Sequence, residues 1–133
     1  MPNKCSTSKN KTIRRILIAE DHPFLASVLS NALCEAGYHT EIATNGKQAL
    51  ELIKADLERY ALLITNYNMP KLTGLELSQS LRKAKFPGKI ILMTLSRALH
   101  LPKGKVKEVD VFLSKTFTPE EFLGIVADLI GPA

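Results

Sequence analysis

Apolar positions along this chain alternate between two spacings. Short runs that fit strands covered on both faces occur at Ile13 to Ala19, His39 to Ala43, Ala61 to Thr65, Lys89 to Thr94 and Val109 to Leu113. Between them the spacing lengthens to three and four, which predicts helices. Leu25, Val28, Leu29, Ala32 and Leu33 form one stripe, opened by Pro23 at a first helical position and ended by Gly37. Asn45-Gly46 leads into Ala49, Leu50, Leu52, Ile53 and Leu57. Leu75, Leu77 and Leu81 mark a third helix over Leu75 to Ala84, and Pro87-Gly88 turns the chain back. Ser96 to Leu101 begins a fourth helix that Pro102 and Gly104 shorten or distort. The fifth helix starts most clearly, with Thr118 as N-cap, Pro119 after it and Glu121 placed to close a capping box; Phe122, Ile125, Val126 and Leu129 are its buried stripe. Strands alternating with helices of this length predict an α/β fold: a mostly parallel sheet with helices on both faces.

Composition narrows the class. A chain of 133 residues holds one compact domain, expected over residues 13–133, with Met1 to Thr12 as a disordered basic tail. No apolar run approaches the roughly 20 residues of a membrane helix, and the polar start lacks the middle of a secretory signal. A cytoplasmic protein without membrane contact is expected. Cys5 and Cys34 suggest neither a disulfide framework nor metal spacing, and Cys34 reads as a small core residue.

The formal charge of +5 is carried by the first fifteen residues, through Lys4, Lys9, Lys11, Arg14 and Arg15. A second basic stretch runs from Arg82 through Lys83, Lys85, Lys89, Arg97, Lys103 and Lys105 to Lys107 with no acid among them. It suits an acidic partner, although a solvated lysine-rich surface is the plainer reading. No aromatics interleave with these charges and no helix-turn-helix accompanies them, so nucleic acid is not an expected partner.

Parallel strands place all their carboxyl ends on one edge, where ligands bind in open α/β sheets. The residues at those ends are Glu20, Asp21, Asn66, Thr94 and Lys115. Two carboxylates, an amide, a hydroxyl and an ammonium therefore converge on one rim, which points to a site or the descendant of one. His22, His39 and His100 are scattered, and His22 beside the acid pair reads as an exposed bystander.

The segments ILIAEDHPF, LLITNYNMPKLTGLEL, IILMTLS and VFLSKTF resemble, in order and spacing, the receiver domain of bacterial response regulators, from about Arg14 to Leu129. The resemblance implies a flavodoxin-like, doubly wound five-stranded sheet of order 2-1-3-4-5 and a pocket for Mg²⁺ and a phosphoryl group. It assigns Glu20 and Asp21 to the metal together with the acceptor residue at 66 and the backbone carbonyl of Asn68. Thr94 matches the hydroxyl that binds phosphoryl oxygens, Lys115 the lysine that pairs with them, and Phe112 the aromatic that reorients on activation. Such a set suits the chemistry, because Mg²⁺ takes oxygen ligands while a cation and a hydroxyl stabilise charge on a transferring phosphoryl.

One residue departs from that pattern. Asn66 stands where the family has its phosphoaccepting aspartate. A neutral amide oxygen is a poor nucleophile and leaves the pocket with two carboxylates in place of three, so phosphorylation is expected to be lost and Mg²⁺ binding weakened. The amide can also donate to the acids and satisfy them without a metal. Thr116 replaces the proline usual after the lysine, and the Pro102 to Lys107 segment disturbs the fourth helix.

The leading expectation is a pseudo-receiver of a two-component phosphorelay, a non-enzymatic module acting through contact with a histidine kinase, another receiver or an output domain, with dimerisation through the fourth and fifth helices as in other receivers. A second reading keeps a conventional phospho-switch in which Asn66 is an engineered replacement of aspartate. A third, a small α/β phosphate-binding enzyme, lacks a glycine-rich phosphate loop, a nucleophile elbow and a histidine-containing triad.

Overall fold

The computed structural model describes residues 14–94, 107–114 and 116–133. Five strands run β1 (Arg15–Ala19), β2 (His39–Ala43), β3 (Leu62–Asn66), β4 (Lys89–Thr94) and β5 (Val111–Ser114). Four helices among the described residues join them: α1 (Pro23–Glu35), α2 (Gly46–Ala55), α3 (Gly74–Lys83) and α4 (Pro119–Ile130). The helix expected over Ser96 to Leu101 lies outside the described residues, so α4 is the helix expected as the fifth. All strands are parallel, in the order β2-β1-β3-β4-β5.

Alternation along the strands sorts the core into two layers. Ile16, Ile18, Leu62, Ile64, Ile91 and Met93 pack with Leu29 and Leu33 of α1 and Phe122 and Val126 of α4. Leu17, Ala19, Leu63, Ile90 and Leu92 pack with Ala49 and Ile53 of α2 and Leu77 and Leu81 of α3. β3 is buried along its whole length because it lies at the sheet centre between both layers, which accounts for a continuous apolar run without polar alternation.

The helix starts follow local chemistry. Asn45 Oδ1 accepts from the Gln48 amide at 2.8 Å and caps α2. Thr118 and Glu121 form the expected capping box on α4, and Thr73 with Glu76 forms an equivalent one on α3 that also follows the T-x-x-E pattern.

Two expectations need correction. Val28 was placed on the buried stripe of α1, but the face on the sheet runs through Ala26, Leu29, Ser30 and Leu33, and Val28 is 44% exposed beside Phe24 at 73%. Ser30 takes the inner position because its hydroxyl meets that of Thr40 on β2 at 2.6 Å, so a polar residue is buried at little cost. Cys34 is half-buried and disulfide-bonded, where the sequence suggests a small core residue outside any disulfide framework.

From the middle of β2, Glu41 reaches the residues just before the amino end of β3, where it accepts from Tyr60 Oη at 2.5 Å and pairs with Arg59, whose guanidinium lies over the Tyr60 ring. Tyr38 Oη donates to the Gly131 carbonyl at 2.7 Å and Arg14 Nε to that of Ile130, which ties the end of α4 to the start of β1 and β2. No helix among the described residues is long and apolar enough to cross a membrane.

Candidate functional site

The carboxyl edge of the sheet gathers the residues that the sequence places at strand ends. Glu20 follows β1 and is almost wholly buried, because its backbone amide continues the ladder to the Ala43 carbonyl at 3.0 Å. Its Oε2 accepts from the His22 backbone amide at 3.1 Å, so His22 serves the acid through its main chain and its exposed ring stays outside. Asp21 is exposed at the mouth, just before α1, whose amino end favours a nearby negative charge.

Asn66 is the last residue of β3, one step further into the strand than the sequence suggests, and pairs with Met93 of β4. Its side-chain nitrogen Nδ2 is 2.8 Å from the backbone oxygen of Asn68, 3.4 Å from Glu20 Oε2 and 3.5 Å from Asp21 Oδ1. The contact with Asn68 is a full hydrogen bond, whereas the two to the acids are long. The amide orientation follows from its partners: turned over, its oxygen would face three acceptors with no proton between them.

Thr94 ends β4, half-buried and one residue beyond the Met93 partner of Asn66. Lys115 lies outside the described residues. Phe112 is on the edge strand β5, where its ring is 40% exposed. The structure thus brings together Glu20, Asp21, Asn66 and the Asn68 carbonyl, with Thr94 at the neighbouring strand end.

The loop that carries Asn68 is held by Gly74, the residue that opens α3. The Gly74 amide donates to the Tyr67 carbonyl at 2.8 Å, and a Cβ at Gly74 would lie 2.3 Å from the Asn66 carbonyl oxygen. Only glycine permits this approach of α3 to the end of β3. Gly46 plays a similar part from α2, since a Cβ there would meet the Leu72 carbonyl oxygen at 2.3 Å. A glycine opening a helix after a strand and a turn is the signal that was available.

Arg82 also changes its reading. Counted with the basic stretch, it instead bonds the carbonyls of Glu108, Phe86 and Gly88 and the carboxylate of Asp110 at 2.7 to 3.0 Å. Asp110 in turn accepts from the Ile90 amide at 2.8 Å, so this arginine joins α3 to the approaches of β4 and β5. Lys103 and Lys105 lie outside the described residues.

As arranged, the site does not fit a divalent cation. Mg²⁺ requires oxygens around it, and here a proton-bearing nitrogen faces the oxygens of Glu20, Asp21 and Asn68. Among the described residues no group of three or more histidine, cysteine or acidic side chains is placed to hold a metal.

Comparison with known proteins gives the site its context. The profile of the response regulator receiver domain matches residues 16–127. An uncharacterized transcriptional regulatory protein of Bacillus subtilis, YrkP, is 33% identical over 107 residues, covering 80% of this chain and 45% of that protein. The probable transcriptional regulator ycf29 of Pyropia yezoensis is 32% identical over 120 residues, covering 87% and 53%. The chain thus spans about half the length of these curated relatives. Among solved structures, the response regulator TrrA of Thermotoga maritima, crystallised in complex with Mg²⁺-BeF, superposes with a TM-score of 0.78 at 32% identity, covering 88% of this chain and 99% of that one. From the matched profile, the parallel order of the strands and these relatives, the chain belongs to the response regulator receiver domain family.

Proposed function

We propose that this chain is a receiver that works without phosphorylation at residue 66, passing a signal in a two-component pathway through protein contact. The observation that carries the reading is Asn66 itself, which stands at the end of β3 among Glu20, Asp21 and Asn68 with its amide turned inward. A carboxylate at this point attacks phosphorus with a full negative charge. An amide has its lone pair delocalised and no charge, so no acyl phosphate forms. In this reading the module spans residues 13–133, is not an enzyme and is cytoplasmic. Thr94 and Lys115 are the remnants of a phosphoryl site, Phe112 keeps the position of the switch aromatic, and the oxygens of Glu20, Asp21 and Asn68 are what is left of a Mg²⁺ site.

Its partners are a histidine kinase, another receiver or an output domain. Phe24 and Val28, exposed on α1 one and two turns past the acid pair, support a contact that is partly apolar. Pairing of two copies through the expected fourth and fifth helices, the fifth being α4, belongs to the same reading.

A second reading is favoured by the convergence of Glu20, Asp21 and Asn68 on residue 66: a phospho-switch pocket complete except for an engineered amide. One experiment serves both. The chain and its Asn66→Asp variant are incubated with acetyl phosphate and Mg²⁺ and weighed intact. The expected result is no mass gain for the chain as it stands. One phosphoryl on the aspartate variant shows that the rest of the pocket functions, as the second reading requires. A phosphoryl on Asn66 protein, mapped to this site, refutes the first.

A further inference from the structure

We infer that the Asn66 side-chain nitrogen takes the place of the cation in this pocket, so that the acid pair is held by an internal donor and divalent metal is kept out. The inference rests on the proposed receiver reading and deepens it. A missing carboxylate and a blocking amide are different causes of weak metal binding. Only the second follows from the geometry.

The argument starts from which atoms face one another. Glu20 Oε2, Asp21 Oδ1 and the Asn68 backbone oxygen come from three separate backbone positions and share one neighbour, Asn66 Nδ2, at 3.4, 3.5 and 2.8 Å. Three oxygens around one electropositive centre is the arrangement a hard cation demands. Here the centre is an NH₂ group, whose two protons are directed to acceptors it cannot leave without cost. Asn66 is 9% exposed and Glu20 1%, so little water is at hand to replace the contact between them, although Asp21 and Asn68 are exposed residues at the mouth.

For a divalent ion to enter, the amide must turn its oxygen inward or swing away, and the bond to the Asn68 carbonyl must break. That carbonyl cannot move aside easily, because the turn behind it is pinned by the Gly74 amide on the Tyr67 carbonyl and by the close approach of Gly74 to the Asn66 backbone oxygen. The pocket is therefore rigid around its internal donor. The receiver then has one fixed state at this edge, insensitive to metal.

The two causes predict different orders of metal response among variants. If a carboxylate is merely missing, Asn66 still offers its Oδ1 and alanine offers nothing, so response falls from aspartate to asparagine to alanine. If the amide blocks, alanine opens the position, and response falls from aspartate to alanine to asparagine.

The test is thermal unfolding of the full chain, Asn66→Ala and Asn66→Asp, each with chelator and with Mg²⁺ alone. The expected rise in Tm on adding ~10 mM Mg²⁺ is about 5 °C or more for Asn66→Asp, ~2 °C for Asn66→Ala and under ~1 °C for the unsubstituted chain. An unsubstituted chain that responds as much as Asn66→Ala overturns the inference. So does the absence of response in all three, since the pocket would then have no cation position to fill. Should Asn66→Ala fail to fold, the Asn66 side-chain NH₂ resonances of the unsubstituted chain decide: unmoved by Mg²⁺ is expected, and a saturable shift below ~1 mM overturns. A metal response of the unsubstituted chain as large as that of Asn66→Ala, without any phosphoryl gain, defeats only this inference, whereas phosphorylation of Asn66 protein defeats the reading beneath it.

Discussion

The two edges of the sheet hold carboxylates in opposite ways. At the amino edge, Glu41 meets a full cation and a phenol, Arg59 and Tyr60. At the carboxyl edge, Glu20 and Asp21 turn towards the neutral amide of Asn66, at distances that make weak bonds. Burial alone would raise the Glu41 carboxyl, yet the hydrogen bonds from Tyr60 and Arg59 and the charges of Arg59 and Arg15 outweigh it and hold it below the usual range. Tyr60 is pushed up to about 12, first by burial and then by its bond to Glu41. The first edge is a fastening, satisfied for stability. The second sets the neutral amide of Asn66 beside two acids, with no guanidinium or phenol in the contacts described.

The comparison can be broken from either side. The largest effect is expected from Gly74→Ala, whose Cβ would strike the Asn66 backbone oxygen. Overpacking against main chain that cannot retreat should cost about 3 kcal/mol in denaturant unfolding, and it should shift the Asn66 side-chain resonances. Loss of stability without any change at Asn66 would separate the turn from the site. Next comes Tyr60→Phe, which strips a half-buried carboxylate of a hydroxyl donor and should cost about 1 kcal/mol while leaving the carboxyl-edge resonances in place.

Arg59→Ala should cost less, about 0.5 kcal/mol, because its pair with Glu41 is partly solvated and the arginine side chain is 42% exposed. The smallest effects are read from pH. Glu41 has a depressed carboxyl pKa, so its contribution is present above the unfolded value near 4.5 and is lost as pH falls through its lower folded value. Tyr60, raised to about 12, contributes fully below its unfolded value near 10 and ceases to contribute as pH rises through about 12. Stability curves of the chain and Glu41→Gln should therefore converge at acid pH. Parallel curves down to pH 2 would mean that Glu41 is not the fastening described here.

Much of this fold can be read in one dimension. Buried strands, helical stripes and the Thr118 capping box depend on neighbours at fixed short spacing, and they recur in the structure within a residue or two. The convergence of Glu20, Asp21 and Asn66 was also legible, because parallel strands carry their ends to one edge whatever the side chains do. Less visible were the partners of Glu41. Glu41 and Tyr60 stand nineteen positions apart, and nothing local in either segment indicates that they meet.

By itself, then, the sequence determined the order of elements, the family resemblance and the presence of an amide at residue 66, since all three reside in residue identity and periodicity. Tertiary structure alone decided which face of α1 was buried, that Arg82 joins three segments and not a basic surface, and which way the Asn66 amide points. Direction is a property of the partners an atom finds in space. A planar amide presents a donor and an acceptor with equal ease, and only the three oxygens gathered by the fold select the donor.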